Sequence, residues 1–196
     1  MNARAAAKKI WTPAEYLELE RSSPQRHELV DGEIFAMAGA SFEHNKIVGN
    51  LVGELRSALR NRPCDVTPSD LRVHVPATGL YTYPDVTVVC GDPLFEGDAR
   101  DTLLNPTVLV EVLSESTEGY DRGKKFRNYR SIASLREYVL VAQDVVSVER
   151  YTRGDGGVWS LHESDAGERL VLGSIGCEIA VDEIFLKVFP APGAQA

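Results

Sequence analysis

From Ser41 to Leu59 the apolar positions Ile47, Val48, Leu51, Val52, Leu55 and Leu59 recur at the spacing of one helical face, while Asn50, Glu54 and Arg56 fall on the other. The pattern predicts a long helix capped by Ser41 and stopped by Asn61-Arg62-Pro63. Gly49 and Gly53 weaken it, but leave room for a neighbouring element to pack close. Upstream, Thr12-Pro13-Ala14-Glu15 carries a helix start: a capping threonine, a proline at the first helical position and a glutamate that closes a capping box. That helix runs to about Glu20, before Ser22, Ser23 and Pro24. Asp31-Gly32 between two apolar stretches predicts a hairpin with strands at 26–30 and 33–38.

The middle of the chain reads as extended. Leu71, Val73 and Val75 alternate with Arg72 and His74, Thr78-Gly79 is a turn, and Tyr83 to Val89 predicts a further strand. Residues 91–105 show no period and read as a surface loop, acidic through Asp92, Glu96, Asp98 and Asp101. Pro106 to Leu113 is the most apolar run, as expected of a central strand covered on both faces. Residues 118–131 read as a helix, 136–142 and 145–151 as paired strands, and Val158–His162 and Leu170–Leu172 as further extended pieces; Val181–Val188 reads as a closing helix. Residues 1–11 are expected to be a flexible segment, 12–189 one domain, and 190–196 a disordered tail.

Composition adds bounds. The chain has 196 residues, 43% hydrophobic and 26% charged, which suits a single globular domain. No apolar run is long enough for a membrane span, and the N-terminus lacks the apolar stretch of a secretory signal, so a cytoplasmic, non-membrane protein is expected. Cys64, Cys90 and Cys177 are scattered and odd in number; buried free thiols are the expectation, and no Cys/His pair has zinc spacing. A net charge of -8 argues against a general nucleic-acid binder, so any such role must rest on a local patch. Trp11 and Trp159 are expected to be packing anchors.

Two carboxylates stand inside segments that otherwise read as core: Asp85 before Val86, and Glu111 after Val110. A carboxylate there is either a solvated strand end or is paired, with a base or a metal. A close pair would offer hard oxygen ligands to Mg²⁺ or Mn²⁺. In the following helix Asp121, Lys125 and Tyr129 are spaced i, i+4, i+8 and share a face. Lys125 either reaches back to the carboxylates or forms an exposed pair with Asp121. Arg122, Lys124, Arg127 and Arg130 make the same segment basic.

Taken in order, the pieces HELVDGEI, His44 after Ser41-Phe42-Glu43, Ser69-Asp70-Leu71, Tyr83-Pro84-Asp85-Val86, Val110-Glu111-Val112-Leu113-Ser114, Ser116-Thr117, Asp121, Lys125, Tyr129 and Glu137-Tyr138 resemble the Uma2 (DUF820) family of the PD-(D/E)xK nuclease superfamily. The resemblance implies an α/β (α+β) fold, a restriction-endonuclease-like mixed β-sheet flanked by helices, often dimeric. It implies a deoxyribonuclease that holds Mg²⁺, or Mn²⁺, through Asp85, Glu111 and the backbone carbonyl of Val112, with DNA as partner and no organic cofactor. Leu113 departs from the pattern, standing where the motif has lysine; the resemblance puts a migrated lysine at Lys125. Glu33, His44, Asp70, Asp121 and Tyr129 are supporting candidates, with Glu28 a weaker one. The alternative is a catalytically silent nucleic-acid-binding or regulatory module on the same fold.

Overall fold

The computed structural model describes residues 9–190. Residues 1–8 and the tail residues 191–196, for which flexibility and disorder are expected, lie outside the described residues. Helix α1 (Pro13–Ser22) begins at Thr12 with both halves of the capping box formed. Strands β1 (His27–Val30) and β2 (Glu33–Ala36) make the hairpin, with Asp31 and Gly32 at positive φ in the turn. Trp11 is tied to that turn, its amide donating to the Gly32 carbonyl at 2.8 Å. Helix α2 (Phe42–Ala58) is capped by Ser41, which accepts from the His44 amide.

Strands β3 (Cys64–Pro68), β4 (Arg72–Val75), β5 (Leu80–Thr82), β6 (Val86–Cys90), β7 (Thr102–Leu103) and β8 (Val108–Val112) follow. A helical stretch of three parts comes next: α3 (Glu118–Tyr120), a π-helical turn (Asp121–Lys125) and α4 (Phe126–Tyr129). The chain closes with β9 (Glu137–Val141), β10 (Ser147–Arg153), β11 (Trp159–Asp165), β12 (Arg169–Leu172), β13 (Cys177–Ala180) and α5 (Val181–Ile184).

Two mixed sheets carry the fold. One has the order β2-β1-β5-β4-β7; the other, β11-β10-β9-β8-β6-β3; β12 and β13 form a separate ribbon. The pairs β4–β7 and β8–β9 are parallel and the remaining ladders antiparallel. Every residue of β8 and β9 is buried, as the continuous apolar runs require. Side chains alternate across β8. Val108, Val110 and Val112 join Ile47, Leu51 and Leu55 of α2 on one face. Leu109 and Leu113 join Tyr129, Ile132 and Leu135 on the other. Glu111 has the parity of the second face, and so points under the helical stretch.

A polar seam runs through the first sheet. Arg72, nearly fully buried, donates to Thr102 Oγ1 and Tyr83 OH, both at 2.9 Å, and pairs with Asp101 at 3.2 Å. Tyr83 donates to Glu20 at 2.8 Å, and Glu20 also receives the His27 amide. Asp101 takes Arg21 as a second cation.

Several expectations are corrected. Cys64 and Cys90 are not free thiols. They face each other in the antiparallel β3–β6 register and are disulfide-bonded, a pairing that a separation of 26 residues conceals in the sequence; Cys177 alone is a buried free thiol. Gly49 and Gly53 do not mediate close packing: a side-chain carbon at either would meet open space, because the inward face of α2 is Ile47, Leu51 and Leu55. The expected strand from Tyr83 begins only at Val86, and residues 83–85 link β5 to β6. The acidic loop is pinned, with Asp101 held as above and Glu96 by His74 and Tyr81. Glu137 pairs with Arg150 and takes the Gly173 and Ser174 amides.

Candidate functional site

β6 and β8 are antiparallel neighbours with Val86 opposite Val110. One step further along that register sets Asp85 beside Glu111. Asp85 Oδ2 accepts the Val112 amide at 2.7 Å and Oδ1 lies 3.0 Å from His44 Nε2. The first contact fastens the end of β8; the second links the sheet to the first turn of α2. A strand residue turns its amide and its carbonyl to the same side, so the Val112 carbonyl also lies on the Asp85 edge.

Glu111 is buried beneath the helical stretch. Its Oε1 accepts Tyr129 OH at 2.8 Å and lies 2.9 Å from Lys125 Nζ. Lys125 also stands 3.4 Å from Asp121 and 3.6 Å from Glu28. Glu28 Oε1 accepts the Thr82 hydroxyl. One ammonium thus meets three carboxylates, and Lys125 is only 5% exposed. Leu113 shares the face of Glu111 but is packed in the apolar cluster with Ile132 and Leu135, so the cation beside Glu111 comes from Lys125.

The helical stretch is not a continuous α-helix. The Phe126 amide donates to the Asp121 carbonyl, five residues back, which marks a π turn. The wider turn keeps Asp121 and Lys125 together over Glu111, while Tyr129 arrives from α4 beneath the same carboxylate.

Burial sets the proton balance. Loss of water pushes Glu111 well above the usual carboxylate range, against the pull of Lys125, and it also raises Asp121. Burial opposes the Lys125 charge, yet Glu111, Glu28 and Asp121 outweigh it and hold the ammonium above its ordinary value. A neutral Glu111 and a Glu111-supported ammonium pull in opposite directions. The 2.9 Å contact and the three surrounding carboxylates decide for an ion pair with Lys125 charged. Tyr129 is raised by the same burial and by Glu111, so it remains a donor.

Of the predicted residues, the structure therefore brings Asp85, Glu111, Val112, Lys125, His44, Asp121 and Tyr129 into one contiguous array. Glu28, the weaker candidate, is in direct contact with it. Glu33 lies opposite Val30 at the start of edge strand β2, on the hairpin face that also carries Glu28. Asp70 is outside the array; it is exposed and pairs with Arg26 at 3.3 Å. Half of the basic stretch is paired, Arg122 with Glu118 and Glu149 and Lys124 with Asp31, while Arg127 and Arg130 are exposed. Thr82 and Tyr120 also border the site. Neither carries a sequence signal, because α-helical spacing places Tyr120 off the Lys125 face and only the π turn brings the two together.

Two carboxylates and a carbonyl are hard oxygen donors of the kind Mg²⁺ takes. That ion is commonly held by one or two carboxylates together with substrate phosphate and water. Among the described residues no group of three or more His, Cys, Asp or Glu side chains is poised to hold a metal by itself. The donor set therefore fits a cation completed by substrate, not a pre-built cage. Among the described residues, too, no helix is long and apolar enough to cross a membrane.

Comparisons with known proteins bear on the family and the fold. A family model described as "Uma2: Putative restriction endonuclease" matches residues 13–182. The chain is 40% identical over 176 residues to the uncharacterized protein slr1290 of Synechocystis sp., covering 89% of this chain and 90% of that protein. It is 37% identical over 158 residues to sll1609 of the same organism, also uncharacterized, covering 81% and 89% respectively. A crystal structure from Anabaena variabilis, described as "a putative nuclease belonging to DUF820", superposes with a TM-score of 0.74 at 17% identity, covering 90% of this chain and 98% of that one; at that identity the likeness speaks for the fold. With a sequence model spanning most of the chain and relatives well above a third identical, the protein belongs to the Uma2 family and has its restriction-endonuclease-like fold.

Proposed function

We propose that the protein is a metal-dependent nuclease that hydrolyses phosphodiester bonds in DNA at the Asp85–Glu111–Lys125 centre. The observation that carries this reading is the position of Lys125: its ammonium lies 2.9 Å from Glu111, supplying from the helical stretch the cation that Leu113 does not supply from the strand. Asp85, Glu111 and the Val112 carbonyl would hold the cation, which when bound polarises the phosphoryl oxygen and acidifies water. Lys125 would then stabilise charge developing at phosphorus, a role that low-dielectric surroundings strengthen. Asp121 and Glu28 keep the ammonium charged and aimed. Tyr129 fixes the orientation of Glu111 from below. His44 holds Asp85 at the sheet edge.

A second reading, binding or regulation without cleavage, is favoured by a different observation. In the present arrangement Glu111 is already engaged by Lys125 and Tyr129, and Asp85 by His44 and the Val112 amide. A centre that stays so closed would recognise nucleic acid without cutting it.

Cleavage of plasmid and short duplex DNA with Mg²⁺ or Mn²⁺ separates the two. Asp85→Asn, Glu111→Gln and Lys125→Met, each confirmed folded by circular dichroism, are expected to lose at least ~100-fold of the native rate. Activity that survives in all three removes this centre from the chemistry. Binding of the duplex with no cleavage by the native protein selects the second reading.

A further inference from the structure

One polar group beside Lys125 has no partner among the described residues. The Tyr120 hydroxyl oxygen is buried and has no hydrogen-bond partner among the described residues. A buried hydroxyl without a partner is uncommon and costly in a folded protein, so it calls for an explanation.

Its surroundings narrow that explanation. The Tyr120 ring lies with its centre 6.0 Å from Lys125 Nζ. Burial, then the charge of Glu28, push the phenol far above its ordinary value, with Lys125 opposing and Asp121 and Glu111 adding to the rise. At neutral pH the group is therefore protonated and has a proton to donate. The neighbouring carboxylates are turned to other donors, Glu28 Oε1 to Thr82 and Glu111 Oε1 to Tyr129 and Lys125, and neither takes the Tyr120 hydroxyl. Tyr129 is the instructive contrast. It is the same residue type on the same helical stretch, with its hydroxyl on Glu111, and so is part of the architecture. Tyr120 stands beside the same ammonium with its donor unused.

We propose that the Tyr120 hydroxyl is a substrate-contacting donor, reserved for a non-bridging phosphate oxygen of a nucleic-acid strand bound at this centre. The inference rests on reading the centre as a phosphodiester site. An anionic oxygen is the ligand that suits it, since a phenol donor and an ammonium side by side match the charge and lone pairs of a phosphate, and the surrounding carboxylates repel anything that cannot engage both. A hydrogen bond to a charged partner is among the stronger kinds, and its loss should be felt in binding.

The test compares Tyr120→Phe with Tyr129→Phe. Binding of a fluorescein-labelled 20-mer, single-stranded and duplex, is followed by anisotropy, with Ca²⁺ in place of Mg²⁺ to hold back cleavage. Thermal melting of the free proteins is measured alongside. Tyr120→Phe is expected to weaken binding about ten-fold or more while melting is unchanged or raised, because no native hydrogen bond is lost. Tyr129→Phe is expected to lower melting. Equal affinity of the native and Tyr120→Phe proteins, or a fall in melting like that of Tyr129→Phe, overturns the role of Tyr120 alone. Absence of binding by the native protein to either 20-mer overturns the phosphodiester reading and this inference with it.

Discussion

Two buried charged clusters lie in this molecule, one around Arg72 and one around Lys125, and they are built differently. Around Arg72 the charges balance. Arg72 and Arg21 face Asp101 and Glu20, and each guanidinium nitrogen of Arg72 that reaches a partner has its own: Thr102, Tyr83 and Asp101. Around Lys125 a single cation faces Glu111, Asp121 and Glu28, with Asp85 next along the sheet and the Tyr120 hydroxyl left over. The first cluster is balanced in charge, although Arg72 Nη2, 3.2 Å from Asp101, makes no hydrogen bond there, and it joins α1, β4 and the acidic loop. The second carries an excess of negative charge and an unused donor, the condition of a site finished by something that binds. Burial alone does not separate a structural network from a functional one. What sets the second apart is its uneven charge, three carboxylates to one ammonium.

Three measurements bear on that contrast. Replacing Lys125 by Met should have the largest effect, a loss of about 3–5 kcal/mol in urea unfolding at neutral pH, because buried carboxylates are left without their cation. The loss should shrink as pH falls. Glu111 and Asp121 already have raised values, so they take up protons in the folded protein above the pH at which the unfolded chain does, and a protonated pair no longer needs the ammonium. A loss that is constant with pH would mean that the carboxylates are not what Lys125 serves.

Asp101→Asn should cost less, about 1 kcal/mol, since one side of that carboxylate faces water and screens the pair. It too should fade in acid, but in a lower window, because this carboxylate is depressed where Glu111 and Asp121 are raised. Arg21 above all, with Thr102 and Arg72, holds Asp101 down to about 2 from an ordinary 3.8. The difference between native and variant is therefore present above 3.8 and closes as pH falls through about 2. If it persists in strong acid, the Arg72 cluster is not held by that charge. Glu28→Gln should matter least to stability, within about 0.5 kcal/mol. The amide oxygen still accepts from Thr82, and Lys125 retains two carboxylates. A cost as large as that of Lys125→Met would show that negative charge around the lysine is needed in full and is not in surplus.

Much of the array was legible along the chain, for local reasons. The Thr12 capping box, the Asp31-Gly32 turn and the Ser41 cap are written in neighbouring residues, and each forms as read. Asp85 and Glu111 stood out because carboxylates are rare in apolar strands, and Lys125 because it shares a spacing with Asp121 and Tyr129. What was illegible depends on distant pairing. β7 is a two-residue strand that exists only as a parallel partner of β4. β13 is visible only once β12 lies beside it. The cystine joins strands whose register is set by the sheet. Asp70 looked like a strand-edge ligand because its neighbours are extended, but the turn before β4 points it to solvent and Arg26. Glu28 ranked behind Glu33 because nothing in the hairpin sequence says which of its carboxylates meets Lys125.

The π turn has a bearing on how such a centre can be gained or lost. An α-helix advances about 100° with each residue, and the turn at Asp121–Lys125 holds one residue more than an α turn would. A deletion of one codon there would restore a plain α-helix and shift the two ends of the segment out of phase. Tyr129 or the Asp121–Lys125 pair would swing off Glu111, while the apolar sheet beneath could remain intact. The length of this segment therefore decides whether Asp121, Lys125 and Tyr129 can meet over one carboxylate.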